Sequence, residues 1–347
     1  YGRQAPQRRT PVQDRVRARA HLLGHRIAHS RNPRMSAGSL DRRRARLHSA
    51  LHEFEETGME RPPSTAQRRA AFRAILAGQA CIHPASVHDP IAGRIAADLG
   101  FEAAMFAGSV GSLAVLGAPD IILLTLSEFA DQARRICRGG APPLLVDADH
   151  GYGNALNVMR TVQELETAGI AALTIEDTDL PRGHGTGEPG LLSLEAGLGK
   201  MRAAVAARED AGLVVVARTS ALNLVNLDEA VRRAKAYADC GTDALFFTGV
   251  NDWDQLAALQ AVAKGMPIIL GGTPAAMADR GRLAAHGVRV ALQGHQPFAA
   301  AVAAIHATLK ALREGTPPAE LKGIAPPALM KQVTREADYA AWTRDFL

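Results

Sequence analysis

Residues 143–154 read PLLVDADHGYGN, a short apolar run followed directly by two carboxylates, Asp147 and Asp149. The apolar run predicts a buried strand, and the glycines after it predict a loop that leads into a helix. Side chains two residues apart on a strand share one face, so both carboxylates would lie together at its C-terminal end. Such a pair can hold a hard divalent cation such as Mg²⁺. For an isolated pair, a solvated turn with a helix cap is the structural alternative.

Apolar runs of strand length alternate with helical patterns from about residue 64 onward. The eight runs cover residues 81–87, 103–107, 144–147, 171–176, 213–218, 244–248, 267–270 and 289–292. Short apolar strands separated by helices predict parallel pairing, and eight such units match a (β/α)₈ barrel. An open doubly wound sheet is the alternative, but no early strand is followed by the G-x-G-x-x-G pattern of dinucleotide-binding folds.

Capping signals place helices between these strands. Ser64 predicts the start of a helix over 65–76, and Thr125 with Glu128 predicts a capping box that opens a helix reaching about Cys137. Further helices are predicted over 154–168, 227–240 and 297–312. Residues 317–347 add a helical extension beyond what a closed barrel needs, which favours an oligomer.

The net charge of +5 is unevenly distributed along the chain. Residues 1–58 hold 13 Arg, no Lys and 5 acidic residues, a net charge of +8, so the other 289 residues carry −3. This tail is poor in residues that build a core, which predicts disorder apart from a possible helix over 40–56. We therefore divide the chain into an Arg-rich tail, 1–58, and a catalytic barrel domain, 59–347. A nucleic-acid-binding arm, a transit peptide and upstream sequence within the reading frame are the three interpretations of the tail.

Composition also bears on compartment and partners. Cys81, Cys137 and Cys240 are widely spaced and form no metal-binding pattern, which indicates a reducing compartment and predicts a cytoplasmic protein. No run of 18 or more apolar residues occurs, so neither a transmembrane helix nor a membrane partner is expected. A nucleic-acid partner is not expected either. An inactive barrel whose Arg-rich tail binds nucleic acid is the hypothesis from a different functional class.

Polar residues follow five of the eight predicted strands, at the end where barrels of this type place their active sites. They are Ser109 after strand two, Asp147 and Asp149 after strand three, Glu176 at the end of strand four, Arg218 at the end of strand five and His295 after strand eight. We predict that Asp147 binds a metal directly. Asp149 and Glu176 would bind the metal or orient its waters, and Asp120 would complete the acidic shell.

Charge predicts the roles of the remaining groups. Arg218 has the planar fork suited to a substrate carboxylate, and residues 108–110 offer N–H groups and the Ser109 hydroxyl to an oxyanion. Acids around a cation, together with one arginine, suit a small dianionic substrate that chelates the metal. Structural alternatives exist for single residues: an Arg218–Glu176 ion pair, a helix cap at Glu176 and Asp177, and a turn at Asp120.

Four segments taken in order resemble the isocitrate lyase and phosphoenolpyruvate mutase superfamily. They are ASVHDP at 85–90, DADHGYGN at 147–154, TIED at 174–177 and ART at 217–219. Segments 95–102, 126–129 and 339–345 resemble its oxaloacetate decarboxylase branch. The resemblance runs from about residue 60 to residue 347 and leaves the Arg-rich tail uncovered.

The resemblance implies a (β/α)₈ barrel whose last helix is exchanged between subunits, usually in a tetramer built as a dimer of dimers. It implies Mg²⁺ or Mn²⁺ held by Asp147, and an α-keto acid bound by Ser109 and Arg218. It also implies that His295 lies near the group that leaves. The reaction implied is decarboxylation of oxaloacetate to pyruvate through a metal-stabilised enolate.

Several positions differ from the patterns of the superfamily. Its lyases carry K-[KR]-C-G-H on the loop after strand four, whereas residues 180–187 read LPRGHGTG, without the proton-carrying Cys. The loop at 180–190 also lacks the Asn of the mutases, which argues against phosphonopyruvate chemistry. That chemistry and other C–C cleavage are nevertheless the alternatives to decarboxylation. Ser220 and Gln293 stand where the decarboxylase branch has Asn, and residues 270–274 lack its aromatic residue.

Overall fold

The computed structural model describes residues 62–185, 187 and 189–347, so the predictions for the Arg-rich tail lie outside the described residues. Eight parallel strands follow one another in chain order, each paired with the next. They are β1 (Ala85–Ser86), β2 (Ala104–Phe106), β3 (Leu144–Asp147), β4 (Ala172–Glu176), β5 (Val214–Thr219), β6 (Ala244–Phe247), β7 (Ile268–Leu270) and β8 (Val288–Ala291).

The sheet closes on itself beside the first strand. Ile82 N–H donates to the Arg289 carbonyl and Ala291 N–H donates to the Ile82 carbonyl, each at 2.9 Å. The predicted (β/α)₈ barrel is therefore confirmed. The first strand is much shorter than the predicted 81–87, because Pro84 lacks an N–H group and interrupts the ladder between Ile82 and Ala85.

Helices connect the strands and surround the barrel. They are α1 (Thr65–Ala77), α2 (Pro90–Asp98), α3 (Gly108–Gly111), α4 (Leu126–Arg138), α5 (Ala155–Ala168), α6 (Leu194–Ala207), α7 (Ala221–Leu224), α8 (Leu227–Tyr237), α9 (Trp253–Val262), α10 (Arg280–Ala285), α11 (Gln296–Arg313), α12 (Pro327–Thr334) and α13 (Glu336–Phe346). A π-helical turn, Ser112–Leu116, continues α3.

The helix ends follow the capping chemistry that the sequence predicts. Ser64 and Gln67 form a reciprocal capping box at the start of α1, and Thr125 and Glu128 form another at α4. The side chain of Asn154 accepts hydrogen bonds from two backbone N–H groups at the start of α5. These bonds satisfy donors that a helix leaves unpaired. The start of each of these three helices lies within a residue of its prediction.

Two layers of apolar side chains make up the core. One fills the barrel interior, where Met105, Leu145 and Val216 lie with Phe72 and Leu76 of α1. The other packs between the strands and the surrounding helices. Helix α1 thus packs against one end of the barrel, and the polar residues lie at the carboxyl ends of the strands.

The C-terminal helices pack differently from the others. Helix α11 has 18 residues and none of them is buried. Large apolar side chains on α11 and α13 are exposed, among them Ile305, Leu309 and Phe346. No helix in the described part of the chain is both long and apolar enough to span a lipid bilayer. Exposed apolar faces of this kind often mark contacts between proteins.

A buried ionic network joins β4 to α8. Arg233 donates to Asp177 at 2.8 Å, and the hydroxyl of Tyr237 donates to the same carboxylate oxygen at 2.6 Å. The Asp177 side chain is 0% exposed and that of Arg233 is 4% exposed. Asp177 is therefore a core residue that ties a helix to the barrel, and it does not cap the next helix.

We expect Arg233→Met to lower the free energy of unfolding by about 3–5 kcal/mol, because it leaves a buried carboxylate without its counter-ion. Arg232→Met is the matched control, since the neighbouring Arg232 side chain is 54% exposed and its ion pair is worth about 1 kcal/mol or less. Chemical denaturation of both variants checks the difference. Equal losses would show that the network contributes no more than a surface pair.

Candidate active site

A cavity of about 780 Å³ opens at the carboxyl ends of the strands. All seven residues predicted from the sequence line it: Ser109, Asp120, Asp147, Asp149, Glu176, Arg218 and His295. Five different strands or strand ends contribute them, together with the segment before α4. The barrel therefore brings the predicted set together in one place, as its topology requires.

Asp147 is the last residue of β3 and lies at the centre of the acidic cluster. One carboxylate oxygen accepts hydrogen bonds from the Thr174 hydroxyl at 2.8 Å and from the Asp149 backbone N–H at 3.2 Å. The other oxygen accepts from the Arg218 guanidinium. The hydrogen bond from the Asp149 N–H group to the Asp147 side chain forms the turn that was the structural alternative to a metal site. The turn and the acidic cluster are therefore both present.

Arg218 is placed between two carboxylates. It pairs with Asp147 on one side and with Glu176 at 3.2 Å on the other. Burial disfavours its charged form, but Asp147 and Glu176 outweigh that effect and hold the pKa of Arg218 above its ordinary value. Its Nε is buried and has no hydrogen-bond partner. The Arg218–Glu176 ion pair foreseen as a structural alternative therefore exists, and it leaves one donor of the guanidinium unused.

Asp149 lines the cavity from a backbone conformation that the sequence does not predict. It lies beyond the end of β3 and has a left-handed backbone, with φ of 48°. Its carboxylate packs against the backbone of Gly108. A Cβ atom at position 108 would lie 2.4 Å from a carboxylate oxygen of Asp149, so only glycine leaves room for it. The premise that the two carboxylates share one face of a strand is wrong, although both do line the same cavity.

Burial and like charge raise the pKa of three acids in the cavity. For Asp149, burial acts first, and Asp147 and Glu176 add to it, so its pKa lies well above the ordinary value. Burial also raises the pKa of Glu176, against the opposing effect of Arg218. Burial and then Asp147 raise the pKa of Asp120. Carboxylates crowded in this way bind cations or protons strongly.

Ser109 and Asp120 lie on either side of the π-helical turn. Ser109 is in the first turn of α3, whose leading N–H groups have no partner within the helix. Asp120 lies in the segment that follows the π-helix, close enough to Asp147 and His295 for their charges to affect its pKa. Both positions suit the predicted roles, an oxyanion contact for Ser109 and an outer acidic position for Asp120.

His295 immediately precedes α11 at the edge of the cavity. Its Nδ1 lies 2.9 Å from the hydroxyl of Ser86, the last residue of β1. Burial lowers the pKa of His295, while Asp147 and Asp120 oppose that change. The ring is therefore largely neutral near pH 7 and carries one donor and one acceptor nitrogen.

The sequence reasoning missed several residues that shape the cavity. Thr174 could have been recognised from the sequence, because it is a polar residue inside the apolar strand β4, two positions before Glu176. Phe246 lies beside Arg218, with the guanidinium carbon 5.4 Å from the ring centroid. Thr248 donates a hydrogen bond of 3.0 Å to Ser220 on the cavity wall. No local pattern marks Phe246 or Thr248.

The loop after β4 lies over the cavity and begins with a short stem. Thr178 and Leu191 form an antiparallel bridge, and Asp179 N–H donates to the Gly190 carbonyl at 2.8 Å. Leu180, Pro181 and Arg182 line the cavity from this loop. It therefore contributes apolar surface and one guanidinium to the entrance.

The family model for phosphoenolpyruvate phosphomutase matches residues 72–313, most of the chain and nearly the whole barrel. The chain belongs to the phosphoenolpyruvate mutase family. Two curated relatives are named oxaloacetate decarboxylase. The one from Bradyrhizobium sp. (strain ORS 278) is 55% identical over 280 residues, covering 81% of this chain and 97% of the relative. The one from Rhodopseudomonas palustris (strain HaA2) is 58% identical over 268 residues, covering 77% and 92%.

Solved structures of the superfamily share the fold. An oxaloacetate acetylhydrolase in complex with the inhibitor 3,3-difluorooxalacetate is 27% identical, with a TM-score of 0.72 over 82% of this chain and 98% of that one. A phosphonopyruvate hydrolase in complex with oxalate and Mg²⁺ is 28% identical, with a TM-score of 0.70 over 80% and 99%. The predicted superfamily membership is thus confirmed.

We expect Asp149→Asn to raise the melting temperature in the presence of chelator, because it removes one of several carboxylates that repel one another. A carboxyl whose folded pKa lies above its unfolded pKa destabilises the fold increasingly as pH rises between the two values. The gain should therefore grow from pH 5 to pH 8. A gain of about 1 kcal/mol would raise Tm by about 2–4 °C.

Thermal melts at several pH values, with Asp345→Asn as an exposed control, check this expectation. Added Mg²⁺ should reduce or reverse the gain, because the wild-type acids then face a cation. A wild-type protein that is more stable than Asp149→Asn in chelator at pH 8 would contradict the crowding of negative charge.

Proposed function

We propose that this protein is a carboxy-lyase that decarboxylates an α-keto diacid with the help of Mg²⁺, and that oxaloacetate is its substrate, giving pyruvate and CO₂. The observation that carries the proposal is the cluster of Asp147, Asp149, Glu176 and Arg218 in one cavity. The names of relatives that are 55–58% identical over most of their length support the same substrate.

The donor set of the cavity fits a hard divalent cation. Its acidic groups present carboxylate oxygens, which Mg²⁺ prefers, and Mg²⁺ needs only one or two of them because it keeps several waters. Asp147 would hold the ion, with Asp149, Glu176 and Asp120 around it. Mn²⁺ accepts the same ligands. When bound, the ion would polarise the keto group and stabilise the negative charge that develops on its oxygen.

Arg218 and Ser109 would hold the keto-acid end of the substrate. The unpartnered Nε of Arg218 is a buried donor that a substrate carboxylate can satisfy. The Ser109 hydroxyl and the leading N–H groups of α3 can donate to an oxyanion on the other side of the cavity. The substrate is thus fixed by its C1 carboxylate and C2 carbonyl, which leaves its C4 carboxylate free to depart.

Decarboxylation then requires little further chemistry from the chain. The C3–C4 bond breaks, its electron pair moves to C3 and onto the C2 oxygen, and the carboxylate leaves as neutral CO₂. Met105, Phe246 and Leu292 line the cavity and keep its wall apolar, which favours a neutral leaving group over a carboxylate. His295 would lie near the departing group, and protonation of C3 completes pyruvate.

We expect the wild-type enzyme to release pyruvate from oxaloacetate in the presence of Mg²⁺ well above the rate given by Mg²⁺ alone. Asp147→Asn should reduce the Mg²⁺-dependent rate by about 10³-fold or more, because it removes the ligand that fixes the ion. Coupling pyruvate release to NADH oxidation measures both rates, with chelator as the blank.

The control for folding is Asp254→Asn, which removes an exposed acid that does not line the cavity. A wild-type rate no higher than that of Asp147→Asn would exclude oxaloacetate. Release of phosphate from phosphonopyruvate by the same preparation would then favour the alternative chemistry of this superfamily.

We also propose that the protein is a homo-oligomer, a dimer of dimers in which α11 packs on a neighbouring subunit. Val302, Ile305, Leu309 and Leu312 recur at helical spacing on α11, and all four are exposed. A groove of about 810 Å³, lined in part by Ile91 and Ile95 of α2, lies beside the start of α11. An exposed apolar stripe next to an apolar groove fits an isologous subunit contact.

Ile305→Asp and Leu309→Asp together should reduce the oligomer to smaller species, because two charges cannot be buried in an apolar contact. Lys310→Asp changes charge on the same helix outside the stripe and should leave the assembly intact. Size-exclusion chromatography with light scattering measures the masses. An unchanged mass in the double variant would show that α11 does not form the contact.

The partners proposed for the barrel are therefore a small keto acid and other copies of this chain. All three cysteines of the described region are buried and unpaired, as is usual for proteins of a reducing compartment, which supports a cytoplasmic location.

A further inference from the structure

We propose that Ser86 is a positioning residue for the decarboxylation, acting through His295. Its hydroxyl donates to Nδ1 of His295 and thereby holds the ring with an N–H group at Nε2, available to the substrate. The proposal rests on the proposed function for its reaction, but its structural part can be tested without any activity.

The geometry places the two side chains as a pair. Ser86 ends β1 and His295 immediately precedes α11, and these elements are 209 residues apart along the chain. The 2.9 Å separation between the Ser86 oxygen and Nδ1 is that of a hydrogen bond. Among the described residues it is the one hydrogen bond of the His295 ring that the structure shows, so this bond orients the ring.

Electrostatics select the direction of the hydrogen bond. A neutral imidazole carries one proton, on either Nδ1 or Nε2, and a serine hydroxyl can donate or accept. His295 lines the same cavity as Asp147 and Asp120, and a dianionic substrate adds further negative charge there. An N–H group at Nε2 is favoured next to these anions, while a lone pair there would be repelled. Nδ1 is then the acceptor, and Ser86 is its donor.

This arrangement gives the histidine a defined task. An Nε2–H group can donate to the substrate and orient its C4 carboxylate for cleavage, whereas an unprotonated Nε2 would repel it. If Ser86 loses its hydroxyl, both tautomers and more than one ring orientation become accessible. The substrate would still bind through Arg218 and Ser109, so the loss should fall on kcat more than on KM.

Kinetics of single and double variants test the coupling between the two residues. We expect Ser86→Ala to lower kcat about tenfold with little change in KM, and Ser86→Thr, which keeps a hydroxyl, to restore most of it. In a His295→Gln background, Ser86→Ala should cause no further loss, because its effect passes through the imidazole. A further tenfold loss in that background would overturn the proposal, since it would show a role independent of His295.

A crystal structure of Ser86→Ala tests the positioning itself, whether or not oxaloacetate is the substrate. We expect the His295 ring to rotate or to occupy two orientations while β1 and Asp147 stay in place. A ring that keeps its orientation would overturn the proposal. Absence of oxaloacetate decarboxylation in the wild type would reject the proposed substrate, and this structural comparison would still decide the role of Ser86.

Discussion

Arg218 pairs with both Asp147 and Glu176, and the arrangement of the acidic side chains in the cavity depends on its guanidinium. A buried carboxylate pair without a counter-ion would take up protons or move apart. The parallel register aligns Glu176 with Arg218 on adjacent strands, and Asp147 with Thr174 on the pair before them. The ion pairs are therefore a direct consequence of the strand order, and they preset the positions of groups that would meet a metal and a substrate.

That charge balance also explains why the cavity suits one class of ligand. The cavity holds four acids, and the Arg218 guanidinium can offset the charge of only one of them. The acids are Asp120, Asp147, Asp149 and Glu176. A divalent cation offsets most of that charge, and it supplies the positive charge that an anionic, chelating substrate needs in order to bind in an acidic cavity. A neutral ligand would leave the excess negative charge in place. Burial, and then the negative charge of Asp147, raises the pKa of the other three acids.

Patterns that are local in the sequence predicted most of this arrangement, whereas contacts between distant segments were not predictable. Eight apolar runs and the capping boxes of α1 and α4 give the barrel and its helix boundaries, because each depends on neighbouring residues. The topology rule then brings seven candidate residues to one end. The left-handed backbone of Asp149 and the hydrogen bond between Ser86 and His295 depend on tertiary contacts, which no period or spacing encodes. The first strand is shorter than its apolar run predicts, because Pro84 interrupts the ladder.

The cavity wall beside Arg218 shows how one departure from the decarboxylase pattern is accommodated. Residues 270–274 lack the aromatic side chain of that branch, and Gly271 stands at the end of β7. A Cβ atom on Gly271 would meet the Phe246 ring at 3.0 Å. The ring from β6 thus occupies the space into which a side chain at 271 would project, and it lies beside the guanidinium. Phe246 of the neighbouring strand thus provides an aromatic surface here. Its ring fills the space that an aromatic residue at 271 would otherwise occupy. The wall beside Arg218 therefore keeps an apolar surface next to the guanidinium that is proposed to bind the C1 carboxylate of the substrate.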